Sequence, residues 1–331
     1  MTDAIKLACT GLSNFSKTMS DVVVQNLRKT YNKGNLVAVN DVSFEVAKGE
    51  LFGLIGPDGG GKTSIFRMLT TLLLPDGGSA TVNGFDIVND YREIRKRVGY
   101  MPGKFSLYQD LSVEENLNFF ATVFQTTVQE NYELIRDIYE HIEPFKKRRA
   151  GKLSGGMKQK LALCCALIHK PSVLFLDEPT TGVDAVSRKE FWEILARLKQ
   201  RGVTILVSTP YMDEASLCER IALIQSGSLL SIDTPTKIIQ QFSEKLFAIR
   251  HEDMSHLLRE LRGSAEINSC YSFGEYHHIT FKDESIESQN ALLKHLAASG
   301  FSDVELKEIK PGIEDCFIKL MKNENLEPQI S

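Results

Sequence analysis

Apolar and polar residues alternate in short runs near the start of the chain and then gather into blocks. Val22-Val23-Val24 and the alternating Val42-Ser43-Phe44-Glu45-Val46 predict an antiparallel strand pair. Leu51-Phe52-Gly53-Leu54-Ile55 is a short apolar run flowing into glycines, the pattern of a buried strand. Pro75-Asp76-Gly77-Gly78 marks a turn, Ala80-Thr81-Val82 a strand, and Asn83-Gly84 a second turn. From about Val113 to Ile168 the pattern is mostly helical. Tyr132, Ile135, Ile138, Tyr139 and Ile142 recur at helical spacing, and Pro144 closes that segment.

Strand and helix then alternate. Val173-Leu174-Phe175-Leu176 predicts a buried strand, and Phe191, Ile194, Leu195 and Leu198 mark one face of a helix ended by Gly202. Thr204-Ile205-Leu206-Val207 and Ile221-Ala222-Leu223-Ile224 predict further strands, so the expectation is an α/β fold with a mainly parallel sheet covered by helices. From about Leu246 the character changes to a small α+β domain, with strand candidates Leu246 to Arg250 and Tyr276 to Phe281 and two helices. The expected organisation is an N-terminal extension over 1–20, a main domain over 21–245 with a helical part over about 105–168, and the small domain over 246–331.

Composition narrows the function classes. The 331 residues are 42% hydrophobic and 25% charged, ordinary globular values, and the net charge of −4 gives no global electrostatic case for nucleic acid. No run approaches the roughly 18 apolar residues of a membrane span. Residues 1–20 have no apolar stretch of signal-peptide length, and Leu7-Ala8-Cys9 follows Lys6 rather than an apolar lead, so neither a signal peptide nor a lipoprotein site is expected. Six cysteines without C-x-x-C spacing point to reduced thiols, with Cys164-Cys165 inside an apolar run. His277-His278 sit on a strand and face opposite ways, which argues against joint metal ligation. The basic run Lys146-Lys147-Arg148-Arg149 reads as a solvated face.

The chemistry lies in the ordered motifs. Gly56-Pro57-Asp58-Gly59-Gly60-Gly61-Lys62-Thr63 fits G-x-x-x-x-G-K-[ST] between a strand and a helix expected from Ser64 to Leu69. Backbone N–H groups of such a loop curl around phosphate oxygens, Lys62 reaches the β- and γ-phosphates, and the Thr63 hydroxyl can ligate Mg²⁺. The strand ending in Asp177-Glu178 offers one acid to hold Mg²⁺ and a second to act as general base on the attacking water. Leu153-Ser154-Gly155-Gly156 opens a helix with a hydroxyl and free N–H groups, an anion site.

This ordered set resembles the nucleotide-binding subunit of an ATP-binding-cassette (ABC) transporter over about Asp21 to Phe242. The resemblance implies a phosphate-loop ABC-type ATPase domain: a mixed sheet with a RecA-like core, an antiparallel β part and a helical subdomain. It implies ATP and Mg²⁺ as ligands, with Mg²⁺ at Thr63 and Asp177 and Glu178 as catalytic base. ATP is then expected at Tyr31, at Gly56 through Ser64, at the signature Ser154-Gly155-Gly156, and at the loop of Asp184. It also implies head-to-tail pairing with a second cassette, like or unlike, and a separate transmembrane permease that keeps the subunit on the inner face of the cell membrane. The segment Phe105-Ser106-Leu107-Tyr108 lies where the family receives the permease. The closing stretch Ile309 to Leu320 is similar to that of daunorubicin-resistance-type export ATPases.

Two parts depart from the family pattern. Val98-Gly99-Tyr100-Met101-Pro102-Gly103 puts glycine where the family carries a glutamine, and Ser208-Thr209-Pro210 puts proline where it carries a histidine. Asp58, Gly60 and Met157 depart mildly. Slow hydrolysis at this chain's own phosphate loop is therefore expected, and pairing with an intact cassette would supply one sound site. The alternative is a partner that hardly hydrolyses and completes or regulates another ATPase.

Overall fold

The computed structural model describes residues 19–326, with the side chains of 323–326 excepted. The expected N-terminal extension, including Leu7-Ala8-Cys9, thus lies almost wholly outside the described residues. The chain divides into two compact units at Pro235/Thr236, upstream of the expected 245/246 boundary.

The first unit opens with β1 (Ser20–Tyr31) and β2 (Leu36–Ala47), paired antiparallel as the alternation suggested. Next come β3 (Leu51–Ile55), α1 (Lys62–Leu69), β4 (Gly77–Val82), β5 (Phe85–Asp86), α2 (Tyr91–Arg97) and β6 (Val98–Met101). The helical part holds α3 (Val113–Val123), α4 (Tyr132–Tyr139) and α5 (Gly155–Leu167). Then follow β7 (Val173–Asp177), α6 (Ala185–Gln200), β8 (Thr204–Thr209), β9 (Arg220–Gln225) and β10 (Ser228–Asp233).

Two sheets result. The antiparallel one runs β2-β1-β4-β5, and the larger one runs β10-β9-β3-β8-β7-β6, parallel except for the β9/β10 hairpin. Strands β3, β7 and β8 are buried along their whole length, which is why they read as unbroken apolar runs. Phe66 of α1 meets Phe175 of β7 edge-on at 5.6 Å, fixing the phosphate-loop helix against the sheet. α3 starts at a capping box in which Ser112 and Glu115 satisfy each other's backbone N–H groups. α6 ends as expected, with the Gly202 N–H donating to Lys199 O and Gly202 at φ +86°.

The second unit contains α7 (Pro235–Gln240, its first residue at the boundary), β11 (Leu246–Arg250), α8 (Met254–Gly263), β12 (Ile267–Phe273), β13 (Tyr276–Phe281), α9 (Ile286–Ala298), β14 (Glu305–Ile309) and α10 (Ile313–Leu326). Two strands and two helices were expected; four of each are present. The β-α-β-β-α-β order with sheet order β12-β13-β11-β14, all antiparallel, is a ferredoxin-like split βαβ. β12 and β14 carry many polar residues on their exposed sides, so their apolar runs were too broken to read. His277 bonds Met254 O on one side of the sheet while His278 bonds Asp315 on the other. Among the described residues, no helix is long and apolar enough to cross a membrane. The five described cysteines are free and buried, with burial raising the thiol pKa of each.

Candidate nucleotide site

The loop between β3 and α1 is tight because backbone crowds it. A Cβ on Gly56 would sit 2.1 Å from Ile224 O, and one on Gly61 would sit 2.3 Å from Ala38 O. Gly61 also has φ +100° as the residue before α1, so only glycine serves there. Gly60 is buried, while Asp58 and Gly59 are exposed at the loop tip beside half-buried Pro57. α1 begins at Lys62, earlier than the sequence suggested, so its first N–H groups point into the loop.

Lys62 is 3% exposed and is held on three sides. Its ammonium donates to Gly56 O at 2.8 Å and Pro57 O at 3.0 Å, and lies 3.1 Å from Glu178 Oε1. The Thr63 hydroxyl donates to Asp177 Oδ1 at 3.1 Å. Two strands from β3, β7 therefore delivers its terminal acids to the phosphate loop. Glu178 adopts φ +50°, a left-handed conformation for a bulky residue, fixed by its N–H donating to Ser208 O and Oγ. Strain of this kind costs about 1–3 kcal/mol and gathers at working sites.

Ser208 was missed by the sequence reading. It stands opposite Asp177 in the parallel β7/β8 register and donates to Asp177 Oδ1 at 2.7 Å. The available signal was a hydroxyl pair, Ser208-Thr209, closing an otherwise apolar strand. Tyr100 on β6 is a second omission. Burial first, and then the charge of Asp177, pushes its phenol up to about 12. Glu214 is a third: it accepts from Thr180 and Thr209 hydroxyls at 3.1 and 2.6 Å and faces Arg188, tying the loop after Glu178 to the end of β8.

The two replaced positions fall at this centre. A Cβ on Gly103 would lie 3.0 Å from Asp177 O and 3.8 Å from Glu178 Cβ. Pro210 follows Thr209, whose carbonyl accepts from Gly56 N–H at 3.2 Å. Tyr31, at the end of β1, joins the same cluster through a 3.1 Å hydrogen bond between its hydroxyl and that of Ser64.

The signature and Asp184 form a separate cluster. Ser154 caps α5 by accepting from Met157 N–H at 3.3 Å, and exposed Asp184 caps α6 by accepting from Ser187 N–H at 3.0 Å. That bond is the main reason the Asp184 carboxyl is held below its ordinary pKa. A Cβ on Gly155 would touch Gly182 O at 3.5 Å, and one on Gly156 would overlap Ser187 at 2.6 Å from Oγ. Among the described residues, no hydrogen bond or ion pair joins Ser154 to the phosphate loop.

A buried strand running into a glycine-rich loop and helix, with acids delivered from a neighbouring parallel strand, defines a phosphate-loop nucleotide-binding fold. A solved structure described as an ATP-binding subunit of an ABC transporter matches it with a TM-score of 0.61 and 26% identity, covering 67% of this chain and 92% of that one. The family model for ABC transporters matches residues 39–181. Nod factor export ATP-binding protein I of Rhizobium sp. (strain N33) is 34% identical over 317 residues, 92% of this chain and 99% of that protein. The chain belongs to the ABC transporter ATPase family. The probable multidrug ABC transporter ATP-binding protein YbhF of Escherichia coli (strain K12) is 38% identical over 309 residues, 92% of this chain but 53% of YbhF, so the chain spans about half of that relative's length.

Proposed function

We propose that this chain is the ATP-binding subunit of an export complex, working through a separate permease and paired head to tail with a second cassette. The observation that carries the nucleotide part is the joined set of Lys62, Thr63, Asp177, Ser208 and Glu178. Thr63 and Asp177 are hard oxygen donors suited to Mg²⁺, with Ser208 orienting the carboxylate. The loop's close backbone fits a phosphate cradle. Mg²⁺ held by Thr63 and Asp177 would supply charge neutralisation to the phosphates. Lys62 would exchange the Gly56 and Pro57 carbonyls for phosphate oxygens, freeing Glu178 from its ion pair. Glu178 then takes a proton from water as the water oxygen bonds to the γ-phosphorus and the bond to ADP breaks. Tyr31 would stack on the adenine, and Ser154, Gly155 and Gly156 of this chain, with its Asp184 loop, would close on the partner cassette's γ-phosphate.

Hydrolysis at this chain's own loop is proposed to be slow. Gly103 offers no side chain to Mg²⁺ or the attacking water, and Pro210 offers neither an imidazole nitrogen nor a backbone N–H to the γ-phosphate. The names of the relatives, a multidrug transporter protein and a Nod factor export protein, support export as the direction. A cavity of about 430 Å³ between β6 and helices α3 and α5, rimmed by exposed Leu72 and Val123, supports docking of an apolar permease helix. Leu107 lines it; Tyr108 instead packs edge-on against Phe119 at 4.8 Å.

The test is steady-state ATP hydrolysis by the purified chain beside ATP affinity, with Glu178→Gln as control. Tight binding with negligible turnover supports the slow site, and with it the reading of a non-hydrolysing partner that completes an intact cassette. Robust turnover abolished by Glu178→Gln would overturn the slow-site proposal and leave a plain homodimeric motor.

A further inference from the structure

The second unit contains chemistry that ATP binding does not use. Its sheet buries one face against α8 and α9, where Leu257, Leu261, Leu292 and Leu296 pack on Phe247 and Ile279. The opposite face carries the cross-strand pairs Tyr271–His278 and Ser269–Thr280. α10 returns over that face with Cys316 and Phe317 buried and Asp315 Oδ1 2.8 Å from His278 Nδ1. Its described side chains do not fill the space. A cavity of about 220 Å³ remains between helix and sheet.

The acids and donors in this cavity differ in how far they are committed. Both oxygens of Asp315 are engaged, one by His278 and the other by Gly312 N–H at 2.8 Å. Both oxygens of Glu244 are likewise engaged, by Lys319 at 3.4 Å and Asn268 at 3.5 Å. The donors are unequally committed: Lys319 also donates to Ser243 Oγ at 3.1 Å, whereas among the described residues no carboxylate pairs with Lys322. Lys322 holds its ammonium 5.1 Å above the Tyr271 ring, and Lys319 holds its own 4.7 Å above Phe242. Each ammonium carries three N–H groups. Lys322, exposed and without a carboxylate partner among the described residues, can swing off the Tyr271 face, which leaves an aromatic wall beside a cation for a planar ring that bears a negative charge.

We propose that this cavity is a binding site for a small aromatic carboxylate, its ring taking the place of the Lys322 ammonium over Tyr271 and its carboxylate received by Lys322, with the remaining N–H of Lys319 beside it. The proposal is independent of how fast the phosphate loop hydrolyses ATP. It is tested by calorimetric titration of the full chain with benzoate, with benzylamine and cyclohexanecarboxylate as probes of charge and ring, each with and without saturating Mg-ATP. Benzoate is expected to bind with a Kd below about 1 mM, unchanged by ATP, and benzylamine not to bind. Lys322→Met and Tyr271→Leu should each weaken benzoate roughly tenfold, the scale of one charge-assisted or stacking contact. Lys307→Met, on the same unit but over Tyr276 and outside the cavity, should leave it unchanged. A protein that does not take up benzoate, takes up benzylamine equally, loses benzoate to ATP, or binds it undiminished in the Lys322 and Tyr271 variants refutes the assignment.

Discussion

Restoring the missing amide is the most direct probe of the slow-site proposal. In Gly103→Gln the new Cβ would lie 3.0 Å from Asp177 O, a few tenths of an ångström too close. Gly103 is exposed and sits in the irregular segment after β6, so the loop can give. The steric cost should fall at the low end of the roughly 1–3 kcal/mol seen for overpacking. Against this stands the catalytic gain. A single positioned hydrogen-bonding group is worth about 10²–10³ in rate, or about 2.7–4 kcal/mol of barrier. The gain exceeds the cost, so turnover should rise at saturating Mg-ATP while the melting temperature drops slightly. Gly103→Ala is the control that introduces the Cβ without the amide, and it should lower or leave turnover. Pro210→His alone should give a smaller gain, and the double variant more than the product of the two, because both groups would act on one γ-phosphate. The assay is phosphate release under steady state, with Glu178→Gln in each background. Equal rates for wild type and the double variant, or equal gains from alanine and glutamine at 103, would refute the reasoning.

Other substitutions test the surrounding frame. Gly156→Ala gains about 1 kcal/mol of helix propensity but meets Ser187 Oγ at 2.6 Å and Cβ at 2.9 Å, an overlap costing about 1–3 kcal/mol. Net destabilisation is expected in urea melts, and Ser187→Gly should recover most of it because the cap to Asp184 uses the Ser187 backbone. Ser208→Ala removes the hydroxyl that orients Asp177, so the Mg²⁺ concentration for half-maximal turnover should rise by about tenfold. ATP affinity measured in a chelator should not move. Asp76 bonds to Lys29 foremost, then to Thr30 N–H and hydroxyl, which lowers its pKa from 3.8 to about 2. A depressed carboxylate stabilises the fold above its unfolded pKa, and that contribution is lost as pH falls from about 3.8 through about 2. Asp76→Asn should therefore show a shallower loss of stability across that window in denaturant midpoints.

How far the sequence reading reached follows from which forces are local. The phosphate loop and its strand were legible because glycines and a lysine at fixed offsets encode contacts made within a few residues, and Asp177-Glu178 because two acids close an unbroken apolar strand, although their partners Thr63 and Lys62 lie far off in the chain. β3, β7 and β8 were legible because strands buried on both faces leave unbroken apolar runs. Ser208 and Glu214 were not, since their roles depend on strand register and on a loop returning from elsewhere in the chain. β6 hid in Val98-Gly99-Tyr100-Met101, too short to alternate and interrupted by glycine. That glycine is where a Cβ would strike Ala166 O at 2.4 Å, a tertiary reason invisible to local pattern. In the second unit polar residues blur the period of β12 and β14: Ser269 is half-buried under α10 and bonded to Thr280, while Lys307 and Glu308 are exposed.

Glycine at 103 also permits a close backbone approach. Asp177 O lies 3.0 Å from the point where a Cβ at 103 would be, and Pro57 O lies at the same distance from a Cβ at 60. The loop carrying Gly103 therefore approaches the end of β7 at a range that a side chain would oppose. Beside it Glu178 holds a left-handed φ of +50°, and its carboxylate is held by Lys62. On the proposed reading, hydrolysis would need Lys62 to move to the phosphates and Glu178 to turn toward water, with neither Gly103 nor Pro210 offering a hydrogen-bonding side chain opposite it. On the same reading, binding would need only the first of these movements. Nucleotide affinity and turnover should thus separate in this chain, with affinity set by Lys62, Thr63 and Asp177 and turnover limited by the gap opposite Glu178.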